Sequence, residues 1–452
     1  MPHRPPNRQL TALLLEAHWS SGELARAVNA LGTLQGLPLR YDRTAVAHWL
    51  TGSRPNGPVP DLAAQALSHR SGRLITAADT GLAQSLQPHT APRDRPGMES
   101  DPVLRLIALC RNDADPARRA DLTQAAYTLA ILTLPAWPRT GPLHRPALKR
   151  GASSADVQTL TEMTDVFSGL ADAHGGAHAR SALATYLADD AGRLLTAPAP
   201  AGLHRQLLTC CAQLTHLLAS MTTDTGHHGL AQRYYTTALT LAHHANDRTT
   251  YAITLRAMST QTLRLGHPRR AADLAEAAVD TAGSAVGPAT LAFLLAQRAL
   301  THATNGRPRQ ALADLDTAEH AHDRAAIRPG PFTAYPRAGL DYQRAETFHL
   351  LGRPTLALAA FHASARHRTP AQRKSQALTE VRLAEILLSA GQLEEACTHG
   401  HTFLDHYPHL HSTQVDQALA RLRQHLLSFP NQPHATALQE RARTLSPSRT
   451  GH

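Results

Sequence analysis

The chain has few aromatic residues, few cysteines and almost no lysine. Aromatic residues make up 4% of its 452 residues, so alanine and leucine must fill the interior, which favours close packing of helix on helix. Two of the four cysteines, Cys210 and Cys211, are adjacent, which suits neither a disulfide nor a zinc clamp. All four cysteines are therefore interpreted as buried thiols in a reducing, cytoplasmic compartment. Lysine occurs twice, at Lys149 and Lys374, so arginine supplies the net charge of +10, which favours anionic partners.

The sequence also lacks the motifs of common enzyme classes. It contains no GxxxxGK[ST], no GxGxxG following a strand, no HExxH and no GxSxG. These absences predict that the protein is not an enzyme and needs no cofactor. The first ten residues lack the apolar centre of a signal peptide, and the most apolar stretch, residues 127–137, is too short and too broken to span a membrane. No membrane partner is expected.

Residues 23–60 contain two short amphipathic segments. Apolar residues recur at helical spacing on one face of each segment, as Leu24, Ala25 and Val28 in the first and Val46, Trp49 and Leu50 in the second. The opposite face of the second segment carries Arg43, Thr44 and His48, and Asp42 is placed to cap its N-terminus. Two packed helices with a polar outer face on the second are the pattern of a helix-turn-helix that reads the major groove.

The stretch from Thr44 to Gly52, followed by a basic residue and proline, resembles the Cro/repressor-like (XRE-type) helix-turn-helix domains. Carried over by position, Arg43, Thr44 and His48 would read bases, and Thr51, Ser53 and Arg54 would contact phosphates. The resemblance implies that the protein binds double-stranded DNA, as a homodimer on two half-sites. One departure is the connector at residues 29–41, which is longer than the short turn of that family.

An internal repeat follows in the second half of the chain. Glycine is followed five residues later by alanine at five places about 40 residues apart: 226/231, 266/271, 306/311, 352/357 and 391/396. Each glycine ends a segment with helical apolar spacing, and proline follows two residues after three of the glycines, at 268, 308 and 354. Glycine just past one helix and proline at the start of the next predict helix pairs joined by tight turns. The small alanine is expected where the two helices cross closely.

This repeat resembles the tetratricopeptide (TPR) repeat, whose usual period is about 34 residues. The resemblance covers the chain from about residue 205 and implies an α-solenoid with a concave groove that senses a peptide, a small ligand or a protein partner. Polar residues of the first helices are predicted to line that groove: Gln261, Arg264, Gln297, Arg298, Gln343 and Arg344. The order of domains, with the segment 175–180 (GGAHAR), is similar to helix-turn-helix/TPR regulators of high-GC bacteria.

The predicted organisation is all-α. It comprises a helix-turn-helix domain at 1–83, a Pro-rich linker at 84–101, a helical connector at 102–204, a TPR-like solenoid at 205–445 and a frayed tail at 446–452. Two hypotheses for the function stay open. The protein is either a sequence-specific transcriptional regulator or a protein-interaction adaptor whose N-terminal domain does not bind DNA. The histidines between His399 and His411 match no zinc spacing, so no metal site is predicted there.

Overall fold

The computed structural model describes residues 6–17, 19–34, 39–53, 55, 59–71, 75, 80–82, 101–132, 151–326, 332 and 334–445. Every regular element of these residues is helical, which confirms the predicted all-α class. Within this part of the chain no helix is long and apolar enough to cross a bilayer. In chain order the helices are α1 Arg8–Glu16, α2 Ser21–Leu34, α3 Arg43–Leu50, α4 Val59–Ser71, α5 Pro102–Ala114, α6 Pro116–Thr123, α7 Ser154–His174, α8 Arg180–Tyr186, α9 Gly192–Thr196, α10 Ala201–Asp224, α11 His228–Ala245, α12 Arg248–Arg264, α13 Pro268–Ala282, α14 Pro288–Thr304, α15 Pro308–Asp323, α16 Arg337–Leu350, α17 Pro354–His367, α18 Arg373–Ser389, α19 Leu393–His406, α20 Thr413–Leu426 and α21 Pro433–Thr444.

The chain divides into two compact units, Met1–Pro96 with Thr128–Leu134, and Gly97–Tyr127 with Pro135–His452. The predicted linker at 84–101 lies outside the described residues except for Asp101, whose carboxylate accepts a hydrogen bond from the Val103 amide at 2.9 Å and caps α5. The predicted tail, 446–452, also lies outside them.

The N-terminal unit is built around one apolar cluster from α1 to α4. Leu24, Val28, Val46 and Trp49 are each at most 3% exposed and belong to this cluster. The two amphipathic faces seen in the sequence therefore do pack together, because each places its apolar residues three or four positions apart on one side of its helix.

The start of the second unit holds a buried ion pair. The carboxylate of Asp113, at the end of α5, accepts hydrogen bonds from both terminal nitrogens of Arg180 on α8, at 2.7 and 3.0 Å. The hydroxyl of Tyr234 on α11 donates to the same carboxylate at 2.6 Å. Since Asp113 is fully buried and Arg180 is 6% exposed, the two charges depend on each other for solvation. The guanidinium of Arg180 is thereby occupied by a protein carboxylate.

One predicted helix of the connector is shorter than its apolar pattern suggests. The apolar pattern of residues 116–134 predicts one continuous helix, but α6 ends at Thr123. Residues 125–128 have no regular structure, and the Tyr127 hydroxyl lies 2.5 Å from the Thr262 hydroxyl of α12. A long-range contact thus replaces the helical turn that local propensity favours.

Six helix pairs can be followed through the described residues from α10 to α21, each second helix packed on its first. The five repeated glycines all adopt positive φ, between 68° and 84°, which L-residues rarely adopt, and this explains the glycine at each turn. The five repeated alanines are each at most 1% exposed, as expected where paired helices cross. Residues 201–444 therefore form a TPR-like helical array, as the repeat predicted.

Candidate functional site

The N-terminus of α3 is fixed by the side chain predicted to cap it. The Asp42 carboxylate accepts hydrogen bonds from the backbone amides of Thr44 and Ala45, at 3.0 and 2.9 Å. These amides lower the pKa of Asp42, the Ala45 amide contributing most. The cap therefore stays ionised and defines where α3 begins.

The approach of the chain to α3 is fixed from α2. The Asn29 side-chain amide donates to the Tyr41 carbonyl at 2.8 Å, and its oxygen accepts from the Tyr41 amide at 2.9 Å. The Tyr41 ring packs edge-on against Trp49, with ring centroids 5.2 Å apart. These two hydrogen bonds, which we call the Asn29–Tyr41 clamp, fix the end of the long connector that departs from the XRE pattern. They hold α3 against α2, and the sequence pattern did not predict them.

The side chains predicted to contact DNA lie on the outer face of α3. Arg43, Thr44 and His48 are all exposed, while Val46 and Trp49 on the opposite side are buried. Thr51 and Ser53 beyond the helix are exposed as well, and Arg54 lies outside the described residues. Within its own unit, this face is open to an incoming ligand.

The glutamines predicted to line the solenoid groove lie inside the array instead. Gln261, Gln297 and Gln343 are 2%, 0% and 8% exposed. The Gln343 amide donates to the Gln297 oxygen at 3.0 Å, and the Gln297 amide donates to Ser259 at 3.3 Å. These amides join consecutive first helices to each other, so they are not the open surface that the repeat pattern predicted.

Two of the predicted groove arginines are held by carboxylates. The Nε and Nη2 atoms of Arg298 donate to the Asp314 carboxylate at 2.8 and 2.6 Å, and Arg344 lies 3.2 Å from Glu319. Because these charges are already paired, they differ from the free guanidinium groups expected of a ligand groove.

The third arginine makes an unexpected contact. Arg264, at the end of α12, donates to the side chain of Gln414 on α20 at 3.2 Å, although 150 residues separate the two. An open solenoid places each repeat against its neighbours alone. This array instead brings its second and sixth helix pairs together.

A buried polar cluster, which we call the closure cluster, joins the two ends of the array. Its centre is Asp224, at the end of α10. The Asp224 carboxylate accepts hydrogen bonds from Ser412 at 2.7 Å, from the Gly176 amide at 2.7 Å and from Lys374 at 3.3 Å. Burial alone raises the pKa of Asp224, but Lys374, Ser412 and Gly176 together lower it below its ordinary value.

Backbone contacts support the closure cluster. The His411 amide donates to the His174 carbonyl at 2.7 Å, and the His411 carbonyl accepts from the Ala177 amide at 3.1 Å. A Cβ added to Gly175 would lie 2.6 Å from the His411 carbonyl oxygen, so this approach requires glycine. Helix α7 packs against α10 near the start of the array and against α18 near its end. Among the described residues, the array therefore closes on itself in place of the open concave groove that was predicted.

An opening of about 690 Å³ remains between α7 and α10. Its lining combines charged, amide and apolar side chains, among them Val157 and Asp165 of α7, Arg205 and Gln206 of α10, and Phe332. In the described part of the chain no protein group is bonded to the side chains of Asp165, Arg205 or Gln206, and all three are exposed. Nothing in the sequence pattern marks these residues, because they come together only when α7 folds onto α10.

A neutral histidine packs against Phe332, one of the residues that line this opening. His216 of α10 lies 3.1 Å from the Thr254 hydroxyl, and its ring packs edge-on against Phe332, with centroids 5.2 Å apart. Burial lowers the pKa of His216 to about 3, with a further contribution from the nearby Arg256. The ring is therefore uncharged at neutral pH and packs as an apolar group.

Comparison with known proteins gives two findings. Residues 10–83 match the family model of the SP15 N-terminal domain. This match shows no XRE-type helix-turn-helix. The crystal structure of the APC/C hetero-tetramer Cut9-Hcn1 aligns over 96% of this chain and 69% of that chain, with 14% sequence identity and a TM-score of 0.36. No curated protein matches the sequence.

Proposed function

We propose that the protein is an interaction scaffold whose helical array binds a polypeptide segment in the opening between α7 and α10. The observation that carries this proposal is the set of unpaired polar side chains in that opening, beside an apolar patch. Arg205 offers donors for a carboxylate or carbonyl oxygen, Asp165 accepts from an amide or ammonium, and Gln206 does both. Phe332 and Val157 supply apolar contact for a side chain of the bound segment.

The lining of the opening suits an extended polypeptide. Such a segment presents alternating donors and acceptors together with side chains, and the opening offers both kinds of partner. The closed array argues against the alternative in which a partner lies along an open concave groove. Helix α7 and the closure cluster join the first and last helix pairs, so no open groove runs between them in the described residues.

The test is site-specific photo-crosslinking in the full-length chain. A photoreactive residue at Gln206 is expected to capture one partner segment in cells, and mass spectrometry identifies it. A synthetic peptide of that segment should then bind the purified protein, and Arg205→Glu should weaken its affinity at least about tenfold through loss of a charge-assisted hydrogen bond and added repulsion. The matched control is Arg309→Glu on the exposed side of α15, which should leave affinity unchanged. Equal weakening by both variants, or no defined product at residue 206, contradicts the proposal.

A second candidate function is DNA binding by the N-terminal unit, favoured by the exposed polar face of α3. In this candidate Arg43 would donate two hydrogen bonds to a guanine, and Thr44 and His48 would contact neighbouring base edges. The predicted phosphate contacts at Thr51, Ser53 and Arg54, and the predicted homodimer, belong to this candidate and stay predictions. Such a reader would join the scaffold's partner to a DNA site, so the two functions are compatible.

Selection of bound sequences from a pool of random duplexes, followed by fluorescence anisotropy on the enriched duplex, tests this candidate. Any chain with a net charge of +10 binds DNA weakly at low salt, so the informative comparison is between variants. Arg43→Ala should reduce the free energy of binding to the enriched duplex by about 1–3 kcal/mol. Arg26→Ala removes an equal exposed charge from α2, and it should have a smaller effect that is the same for all sequences. The candidate fails if the two variants behave alike or if selection enriches no sequence.

A further inference from the structure

Two histidines and a glutamate converge between α17 and α19. A potential ligand atom of each of His362, Glu395 and His399 lies within 4.8 Å of those of the other two. His362 comes from α17, while Glu395 and His399 lie one helical turn apart on α19. The group therefore bridges the second helices of two consecutive pairs.

The spacing matches a tetrahedral metal ion. The Nε2 atom of His362 and the Oε1 atom of Glu395 are 3.4 Å apart. Ligands held at about 2.0–2.1 Å around a tetrahedral zinc ion are separated by about 3.3–3.4 Å, which follows from the tetrahedral angle. The His362 and His399 rings are 5.6 Å apart at 57°, so they do not stack on each other and can both face one point.

A fourth residue orients one ligand. The Oε2 atom of Glu380, on α18, lies 2.6 Å from Nδ1 of His399. Glu380 is 6% exposed, so its carboxylate is held in place by the packing of the array. A carboxylate on one ring nitrogen fixes the tautomer and leaves Nε2 available to a metal, which is the usual arrangement behind a metal-binding histidine.

Charge balance points the same way. Glu380 and Glu395 contribute two carboxylates to this group, which a divalent cation balances. We propose that His362, Glu395 and His399 bind a divalent transition-metal ion, Zn²⁺ above all, with water as the fourth ligand and Glu380 as a positioning residue. The chemistry of the donors favours zinc, because two imidazoles and one carboxylate suit it better than they suit Ca²⁺ or Mg²⁺. The ion would tie α17 to α19.

The sequence did not predict this site because its ligands are split. The histidine-rich segment 399–411 contributes His399 alone. The His401 carbonyl accepts a hydrogen bond from Arg441, and the His411 backbone makes hydrogen bonds beside the closure cluster. The remaining histidine, His362, lies 37 residues earlier and becomes a neighbour only through the helix pairing.

Titration of the chelator-treated, full-length protein with Zn²⁺ and with Co²⁺ tests the proposal. We expect one tight equivalent per chain, a visible absorption band characteristic of four-coordinate Co²⁺, and a higher thermal unfolding temperature with metal. His362→Gln and Glu395→Gln should each abolish the tight equivalent and the band. Glu380→Gln should weaken binding about 10–100-fold and shift the band. The control is His434→Gln, an exposed histidine on α21 that is not one of the three ligands.

Two outcomes would overturn the proposal. One is weak binding of several ions that His362→Gln and His434→Gln reduce equally, which is the behaviour of surface histidines in a chain with 29 of them. The other is the absence of the Co²⁺ band from the wild type and every variant, in which case the four residues form two histidine–glutamate pairs without an ion. Since Glu395 is half exposed, Glu395→Gln keeps the test valid even if substitution at His362 impairs folding.

Discussion

The N-terminal unit and the helical array both consist of α-helices, yet they bury different groups. The N-terminal cluster is built from apolar side chains, and its polar residues on α3 point outward. The second unit also buries polar residues, including Asp113, Gln297 and Asp224, each bonded to residues far away in sequence. The difference shows that a local pattern places the apolar side chains of the first region, where the Asn29–Tyr41 clamp is an exception. In the second region the buried polar side chains depend on long-range partners.

The largest expected effect comes from the removal of a buried charge in the second unit. Asp113→Ala leaves the Arg180 guanidinium buried without its partner, so we expect a loss of about 3–5 kcal/mol in the free energy of unfolding. Urea unfolding followed by circular dichroism measures this loss. Asp190→Ala removes a carboxylate from an exposed pair with Arg193 and should cost less than about 0.5 kcal/mol. Comparable losses in the two variants would contradict a polar interior.

A smaller effect is expected at the clamp of the N-terminal unit. Asn29→Ala removes both hydrogen bonds to Tyr41, each of which contributes about 1 kcal/mol. The free energy of unfolding of this unit should therefore fall by about 2 kcal/mol. Asn29→Asp keeps the acceptor and loses the donor, and should fall between the wild type and Asn29→Ala. Thermal unfolding of the three proteins gives the order. If Asn29→Asp matches the wild type, the clamp does not act through both bonds.

The array should also be the more acid-sensitive region. The pKa of His216 is lowered to about 3, below its ordinary value of 6.5, so the folded state binds its proton less readily than the unfolded state. The contribution of neutral His216 to the free energy of unfolding is therefore fully present above pH 6.5. It is lost as the pH falls towards 3, by about 1.4 kcal/mol per pH unit. His216→Gln cannot titrate, and its unfolding free energy should fall less between about pH 7.5 and 5.5, by about 1.4 kcal/mol. Identical pH profiles for the two proteins would refute this, and His434→Gln is the matched control.

The smallest expected effect concerns the repeat turns. Gly266 has φ of 83° and open space where a Cβ would lie, so Gly266→Ala should cost about 1 kcal/mol through backbone strain alone. Gly202, in the first turn of α10, also has open space but lacks positive φ, and Gly202→Ala should be neutral or slightly stabilising. Thermal unfolding separates the two variants, and an equal response would mean that the turn conformation does not select glycine.

The helices, the repeat and the outer face of α3 could be predicted from the sequence, because each depends on residues within a few turns. Asp113 could have been recognised as buried, since it follows Leu106 and Cys110 on the apolar face of α5. The environment of Gln297 could not, because periodicity places it on a first helix without saying whether it meets a ligand or Gln343. The closure around Asp224 depends on the summed rotation between repeats, which no single repeat encodes.

Closure of the array is the central claim, because it moves the proposed binding site from a concave groove to the opening beside α7. The direct measurement is the distance between spin labels at Arg269→Cys on α13 and Gln417→Cys on α20 in the full-length chain. Both sites are exposed, this pair leaves the Arg264–Gln414 contact intact, and the four native cysteines are buried. We predict one narrow distribution near about 20 Å, roughly two helix diameters. Asp224→Ala should broaden it. A broad distribution on the order of 40 Å, four spacings between first helices, would show an open solenoid and contradict the account.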